Sequence, residues 1–297
     1  MEKPKTVKLT SGDRAFYIGV NSFLAFIGII IAIPIISTIS SSVTPNGYIG
    51  TTFDKFILMP WKWDAASYKA LLGNNGFILA FWNSLKIMSF GVLTSLSLTV
   101  PMAYCMSVQD LPGRKILNYF VLIPYLFNIG VIPTYLVVTG LHLNNHLCSI
   151  FLPGAIGTYN CLIMRGFFEG IPESLKESAR IDGAAEWYVL VSIILPLSKP
   201  IIMTIGLYYA VSYWNDFMHA LLYLTESALQ PLPILTRNIL LGASMSETLD
   251  TGSAFGAASI SSIKAACVFL SAIPMMLAYP FIQKYFTKGT MLGSVKG

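Results

Sequence analysis

The stretch EGIPESLKESARIDGAAEWYVLVSIILPLSKP, residues 169–200, decides how the rest of the chain is read. It gathers Glu169, Glu173, Lys176, Glu177, Arg180, Asp182 and Glu186 into eighteen residues of a protein in which only 11% of residues are charged. Such a patch belongs in water or against a partner. Pro172 suits the first turn of a helix, where its missing N–H costs nothing, and Gly183 suits the left-handed residue that ends one. The spacing predicts a short surface helix over 173–181, a tight glycine turn, and a second helical run from near Ala184 into the apolar sequence beyond.

Around this stretch the composition changes sharply. The 297 residues are 55% hydrophobic with a mean hydropathy of +0.66, well beyond an ordinary soluble domain, so the chain reads as an integral membrane protein. Six runs are long enough to cross a hydrocarbon layer of roughly 30 Å: 16–39, 82–106, 116–139, 147–166, 201–223 and 263–286. Lipid offers no partner for free backbone groups and no barrel-like alternation is present, so an all-α, polytopic membrane helix bundle with six transmembrane helices is expected. The first run exceeds the usual core of a secretory signal, although Lys3, Lys5, Lys8 and Arg14 precede it.

Charge placement sets the orientation. With the amino terminus inside, the interior set is Lys3, Lys5, Lys8, Arg14, Arg114, Lys115, Arg165, Lys176, Arg180, Lys199, Lys284, Lys288 and Lys296, which is 13 of the 19 Lys and Arg. The positive-inside rule then puts both termini and residues 169–200 in the cytoplasm. The net charge of +5 needs no nucleic acid to explain it.

The remaining polar features admit local readings. Cys105, Cys148, Cys161 and Cys267 are scattered without a Cys-x-x-Cys pair and read as apolar packing. His142 and His146 have helical i, i+4 spacing but no acidic or cysteine companion, which leaves metal binding unsupported. The outer segment 40–81 carries Trp61, Trp63 and Tyr68, suited to a membrane interface or to a partner. Pro101, Pro124 and Pro133 should bend their helices, and 110–115 reads as a short cytoplasmic turn. Segment 224–262 reads as a loop, long enough to dock something external. Trp214, Asn215 and Asp216 close the fifth run. A carboxylate within a span should face a cavity, a partner or the headgroups, so Asp216 either lines a pathway or holds a structural hydrogen bond near the interface.

Recognisable reaction chemistry is missing from the sequence. It contains no P-loop, dinucleotide fingerprint, zinc-protease helix or hydrolase elbow, and no carboxylate or histidine relay within the spans. Energy for any transport must come from elsewhere. Glu173 and Glu177, one turn apart and joined by Arg180, form a surface suited to a charged protein groove, so the residues alone reach a membrane protein with a cytoplasmic docking element.

At this point the chain resembles the permease subunits of bacterial ABC importers, in their carbohydrate branch of maltose-transporter type. The family's cytoplasmic loop carries Glu-Ala-Ala, then an Asp-Gly or similar pair, then Leu-Pro; here these stand as Glu177-Ser178-Ala179, Asp182-Gly183 and Leu195-Pro196, with serine for the first alanine. Further matches are SYKALL at 67–72, NSL at 83–85, LPGRK at 111–115, WNDF at 214–217 and the tail GTMLGSVKG at 289–297, which is similar to the end of the smaller permease. The same tail is similar to a subgroup linked to complex or uronic-acid oligosaccharides, such as alginate or pectin fragments.

The resemblance implies a transmembrane domain over 16–286 between cytoplasmic tails at 1–15 and 287–297, in the bacterial inner membrane. It implies a second, homologous permease, two copies of an ABC ATPase that hold the ATP and Mg, and an extracytoplasmic sugar-binding protein. This chain itself would then carry no catalytic residue and no cofactor. Residues 169–200 become a coupling helix, with Glu173, Glu177, Ser178, Ala179, Arg180, Asp182, Gly183, Leu195 and Pro196 working against the ATPase. Gly289, Gly293 and Lys296 would reach the same ATPase, and Trp214, Asn215 and Asp216 would line the pathway. The alternatives are a permease for a non-sugar solute, an ion-coupled secondary carrier, or a membrane enzyme built on Asp182 or Asp216, for which no paired carboxylate is apparent.

Overall fold

The computed structural model describes residues 11–45, 48, 62–127, 129–242 and 260–293, and no strand occurs among them. The helices in chain order are α1 (Ser11–Ser42), α2 (Ala66–Leu72), α3 (Asn75–Ser107), α4 (Arg114–Leu126), α5 (Val131–Gly140), α6 (Cys148–Phe151) and α7 (Thr158–Glu169). They continue as α8 (Glu173–Ile181), α9 (Glu186–Leu197), α10 (Lys199–Trp214), α11 (Met218–Tyr223), α12 (Leu232–Leu241) and α13 (Ile260–Gly293). The chain divides into two compact units, 1–71 with 251–269 and 72–250 with 270–297.

Three stretches are long and apolar enough to cross a bilayer, Gly12–Ser42, Asn75–Ser107 and Ser261–Ala278, or five among the described residues if each sharply bent pair is one crossing. The expected limits of three spans are corrected. The run 116–139 is two helices, α4 and α5, meeting at 117° where Gly130 takes φ +80°. Pro133 falls in the first turn of α5, where no amide donor is required. The run 147–166 is broken by a turn after α6, and the twelve residues of α7 reach about 18 Å, short of the hydrocarbon thickness. The run 201–223 stops at Trp214, and α11 begins after a turn at 215–217. Summed hydropathy cannot register these breaks, because the few glycine, proline and polar residues at the turns are averaged with the apolar residues on either side.

The segments 40–81 and 224–262 are also more helical than expected. Residues 75–81 belong to α3, and the segment 224–262 contains α12, which carries Pro233 near its start and ends at Gly242 with φ +65°. Residues 243–259 and Trp61 lie outside the described residues. Within the first unit, Asp64 accepts from the amide of Ala66 at 2.9 Å and so caps α2, while Tyr68 shares a hydrogen bond with Ser42. No residue in the most apolar window of α1 is buried, as suits a helix whose solvent is lipid.

In the second unit α3 is the hub, packed by α4, α6, α7, α10 and α12. Its inner stripe runs Ile87, Gly91, Ser95, Thr99, Ala103, Ser107, all buried at four-residue steps. Small residues at that period let helix backbones approach, a pattern that hydropathy does not reveal. Opposite this stripe Tyr209 and Tyr213 of α10 stack with ring centroids 6.1 Å apart, Tyr209 sharing a hydrogen bond with Thr99 at 2.8 Å and Tyr213 with Ser95 at 2.7 Å. The start of α12 is tied to the same helix: Asn83 donates to the carbonyls of Ala228 (2.8 Å) and Gln230 (3.4 Å), and Ser84 accepts from Leu232 N–H (2.8 Å). Asn83→Ala is expected to destabilise the chain by about 1–3 kcal/mol, because two carbonyls lose a buried donor. Thermal unfolding in detergent measures this, and an unchanged midpoint would remove Asn83 from that role.

Candidate functional site

The polar stretch forms the helices that its caps dictate. Pro172 stands at the N-cap of α8, just outside the first turn. At the other end Gly183 takes φ +82°, its N–H donates to Arg180 C=O at 3.0 Å, and Ala184 N–H donates to Ala179 C=O at 2.9 Å. That pair of bonds is a Schellman turn, which satisfies carbonyls at the helix end. The next helix starts at Glu186, close to Ala184 as expected.

Five side chains from three elements then form one network. Lys176 Nζ donates to Glu173 Oε2 at 2.9 Å, and Arg180 Nη1 donates to Glu173 Oε1 at 3.0 Å. Arg180 Nε donates to Glu186 Oε1 at 2.7 Å, and the Tyr104 hydroxyl donates to Glu186 Oε2 at 2.6 Å. The chain of contacts thus runs from the lower end of α3, through Glu186 of α9, to both ends of α8. Lys176 is 2% exposed, so its aliphatic stem packs inward while its ammonium reaches the rim. The Lys176 hydrogen bond, followed by the Arg180 contacts, holds the Glu173 carboxyl below its usual 4.5. Its stabilising contribution is therefore complete above that value and is lost only as pH falls through the lowered one. The Glu186 hydrogen bond first, then Glu173, raises the Arg180 guanidinium further. These pairs stay ionised at physiological pH.

A second clamp lies beside the first. Glu169 Oε1 accepts from Arg114 at 2.7 Å and from Arg165 at 2.9 Å, and Arg114 Nε also donates to Met106 C=O. It joins the end of α7 to the start of α4 and to the end of α3.

The structure divides the residues that the sequence grouped together. Glu173 and Arg180 are turned to intramolecular pairs and border a cleft of about 750 Å³ with Tyr104 and Glu186. Ser178, Ala179, Asp182 and Gly183 border another, of about 780 Å³, with Tyr188. Glu177 is exposed and makes no ion pair among the described residues. Of the charged surface expected from Glu173, Glu177 and Arg180, Glu173 and Arg180 are engaged in intramolecular pairs, and Glu177, one turn from Glu173 on the same side of the helix, is exposed beside them. The outward face of α8 instead joins Glu177 and Ser178 to Ile181, which is 79% exposed. Leu195 and Pro196 border a third, apolar groove. Sequence reasoning left out Tyr104 and gave Glu186 no role beyond the charged group; nothing local marks a tyrosine 82 positions from its carboxylate.

Trp214, Asn215 and Asp216 each make an intramolecular hydrogen bond. The Trp214 indole donates to Ser271 C=O at 3.0 Å, and Asn215 Nδ2 donates to Val211 C=O at 2.9 Å. Asp216 accepts from the His219 amide at 3.1 Å and pairs with His219 Nδ1 at 2.8 Å, which favours the structural reading of this acid. Gly289 and Gly293 lie in the helical backbone of α13, which continues through 287 without a break, and Lys296 lies outside the described residues.

Comparison with known proteins adds a family, two relatives and a solved structure. Residues 76–291 match the family described as binding-protein-dependent transport system inner membrane component. The polygalacturonan/rhamnogalacturonan transport system permease protein YtcP of Bacillus subtilis (strain 168) is 38% identical over 286 residues, covering 96% of this chain and 99% of that one. Protein LplC of the same organism is 35% identical over 297 residues, covering 100% of both. Among solved structures, a bacterial ABC transporter involved in the import of the acidic polysaccharide alginate matches with a TM-score of 0.84 at 29% identity, covering 95% of this chain and 100% of that one.

Proposed function

The chain belongs to the binding-protein-dependent transport system inner membrane component family, and we propose that it is the membrane permease of an ATP-driven importer of acidic oligosaccharides. It is an all-α protein integral to the membrane and performs transport rather than covalent chemistry. Galacturonan- and alginate-type fragments are the substrate class, on the strength of what the similar proteins carry.

In this reading the chain crosses the inner membrane six times with both termini in the cytoplasm, the bent and broken helices each counting within one crossing. The transmembrane domain occupies 16–286 between tails at 1–15 and 287–297. A second, homologous permease completes the pathway, two ATPase copies inside hold ATP and Mg, and a binding protein outside delivers the sugar. α8 is the coupling helix: its outward residues Glu177, Ser178, Ile181 and Asp182 enter the ATPase, while Glu173, Lys176 and Arg180 fasten it to the bundle. Gly289, Gly293 and Lys296 add a contact from the carboxyl end. ATP-driven closure of the ATPases moves α8 as a rigid body, and the network through Glu186 to Tyr104 passes that motion to α3, a linkage of two sites through one bistable element.

The observation that carries the proposal is the construction of α8, a nine-residue helix held by the ion pairs of Glu173, Lys176 and Arg180 while Glu177 and Ile181 stay exposed. The test is uptake of oligogalacturonate by proteoliposomes holding the complete importer. Uptake should need ATP and the binding protein together. Gly183→Val should lower stimulated ATP hydrolysis about tenfold, because a β-branched residue resists φ +82° by roughly 1–2 kcal/mol and distorts the turn behind the helix. Gradient-driven uptake by this chain alone would overturn the reading.

A further inference from the structure

We propose that the apolar groove between α3 and the α9–α10 elbow is a binding site for one anionic phospholipid, whose acyl chain fills the groove and whose phosphate meets Lys199. The groove encloses about 520 Å³, within the range of small-molecule sites. Leu96, Val100 and Pro101 of α3 form one wall, and Leu190, Val191 and Leu195 of α9 form the other.

Besides Ser97, whose hydroxyl donates to Thr94 C=O at 2.8 Å, two polar side chains stand at this otherwise apolar site. Lys199 is exposed and Trp187 is 69% exposed; neither the Lys199 ammonium nor the Trp187 indole N–H has a hydrogen-bond or ion-pair partner among the described residues. An unpaired cation and an indole donor beside an apolar slot match an amphipathic ligand with a negative head. Tryptophan and lysine are also the side chains that settle at the membrane interface. The α3 residues lie six to eleven positions before its end at Ser107, about 9–17 Å along the axis, a depth that an acyl chain entering from the cytoplasmic headgroups reaches.

The site sits across a joint. α9 and α10 meet at 84° around Ser198, where Pro196 and Pro200 each remove a backbone donor, and residues 189–194 are wound as a π-helix. Trp187, Leu190 and Leu195 belong to one arm of the elbow, and Lys199 and Ile202 to the other. A bound lipid therefore bridges both arms, and the arm it touches carries Glu186, which holds Arg180 of α8. Anionic lipid would thus brace the element that α8 is fastened to.

The experiment extracts the full-length chain, within its assembled importer, from nanodiscs of equal phosphatidylglycerol and phosphatidylcholine, and counts retained lipid by native mass spectrometry. One phosphatidylglycerol should remain, enriched about fivefold over phosphatidylcholine, the scale of a single lysine near an anionic surface. Lys199→Gln should return the ratio to near one while some lipid remains. Val100→Trp or Leu96→Trp, filling the slot, should remove both lipids; circular dichroism and thermal unfolding identify any variant that misfolds, and either filling variant suffices. Equal retention of the two lipids by the wild-type chain would overturn the proposal, as would enrichment that survives Lys199→Gln. Absence of any retained lipid, the outcome if a helix of another subunit covers the groove, would overturn it too. This readout is lipid content, so it succeeds or fails independently of which solute is imported.

Discussion

Gly91→Leu is expected to leave little folded chain in the membrane. A methyl carbon placed on Gly91 would lie 2.6 Å from Cδ2 and 2.8 Å from Cε2 of Tyr213, and 3.1 Å from Cβ of Phe151. Neither neighbour can step aside. The Tyr213 ring is stacked on Tyr209, hydrogen-bonded to Ser95 at 2.7 Å, and packed edge-on against Phe151. Relief therefore requires α3 and α10 to part, along a stripe where Ser95 and Thr99 both depend on close approach. Overpacking of a core costs about 1–3 kcal/mol and more when backbone must move, so a loss of ~3 kcal/mol is expected here. That corresponds to a fall in Tm of roughly 6–12 °C for a domain of this size. Fluorescence-detected size exclusion after extraction, with a thermal ramp, measures both yield and Tm. Unchanged values would mean that the two helices do not meet at Gly91.

Arg180→Glu should separate coupling from folding. Arg180 bonds Glu186 at 2.7 Å and Glu173 at 3.0 Å, and reversing its charge turns both attractions into repulsions among three carboxylates. All three side chains are partly exposed, 32% for Arg180, 55% for Glu186 and 61% for Glu173, so each pair is worth no more than about 1 kcal/mol. The two losses and two new repulsions together reach ~2 kcal/mol, enough to shift the seated position of α8 by about thirtyfold in population. The packing of α3 against α7 and α10 is untouched, so the chain should still accumulate and unfold normally. Binding-protein-stimulated ATP hydrolysis of the assembled importer should fall tenfold or more. The double variant Arg180→Glu, Glu186→Arg restores one ion pair but not the Tyr104 bond, and should recover part of the activity. Full activity in Arg180→Glu alone would remove the network from the transmission path.

Much of this protein is legible without coordinates, and the legible parts are local. Hydropathy marks the membrane class. The ends of α8 follow from Pro172 and Gly183, because helix caps are decided by residues within a few positions of each other. The four-residue period of small side chains in α3 was present in the sequence as well, but hydropathy averages over it. The breaks at 127–130 and at Ser198 are harder to see, since only scattered glycine and proline distinguish them from the apolar spans around them.

The amino-acid sequence by itself determined a helical membrane protein with one charged, capped helix between its spans, because burial preference and helix capping are properties of short stretches. Only the tertiary structure decided that Tyr104 bonds Glu186, that Gly91 admits the Tyr213 ring, and that Asn83 holds the approach to α12. These contacts join residues far apart in the chain. Lipid receives any apolar helix face equally well, so the spans alone leave open which faces meet; small residues and a few polar side chains make that choice when the helices come together.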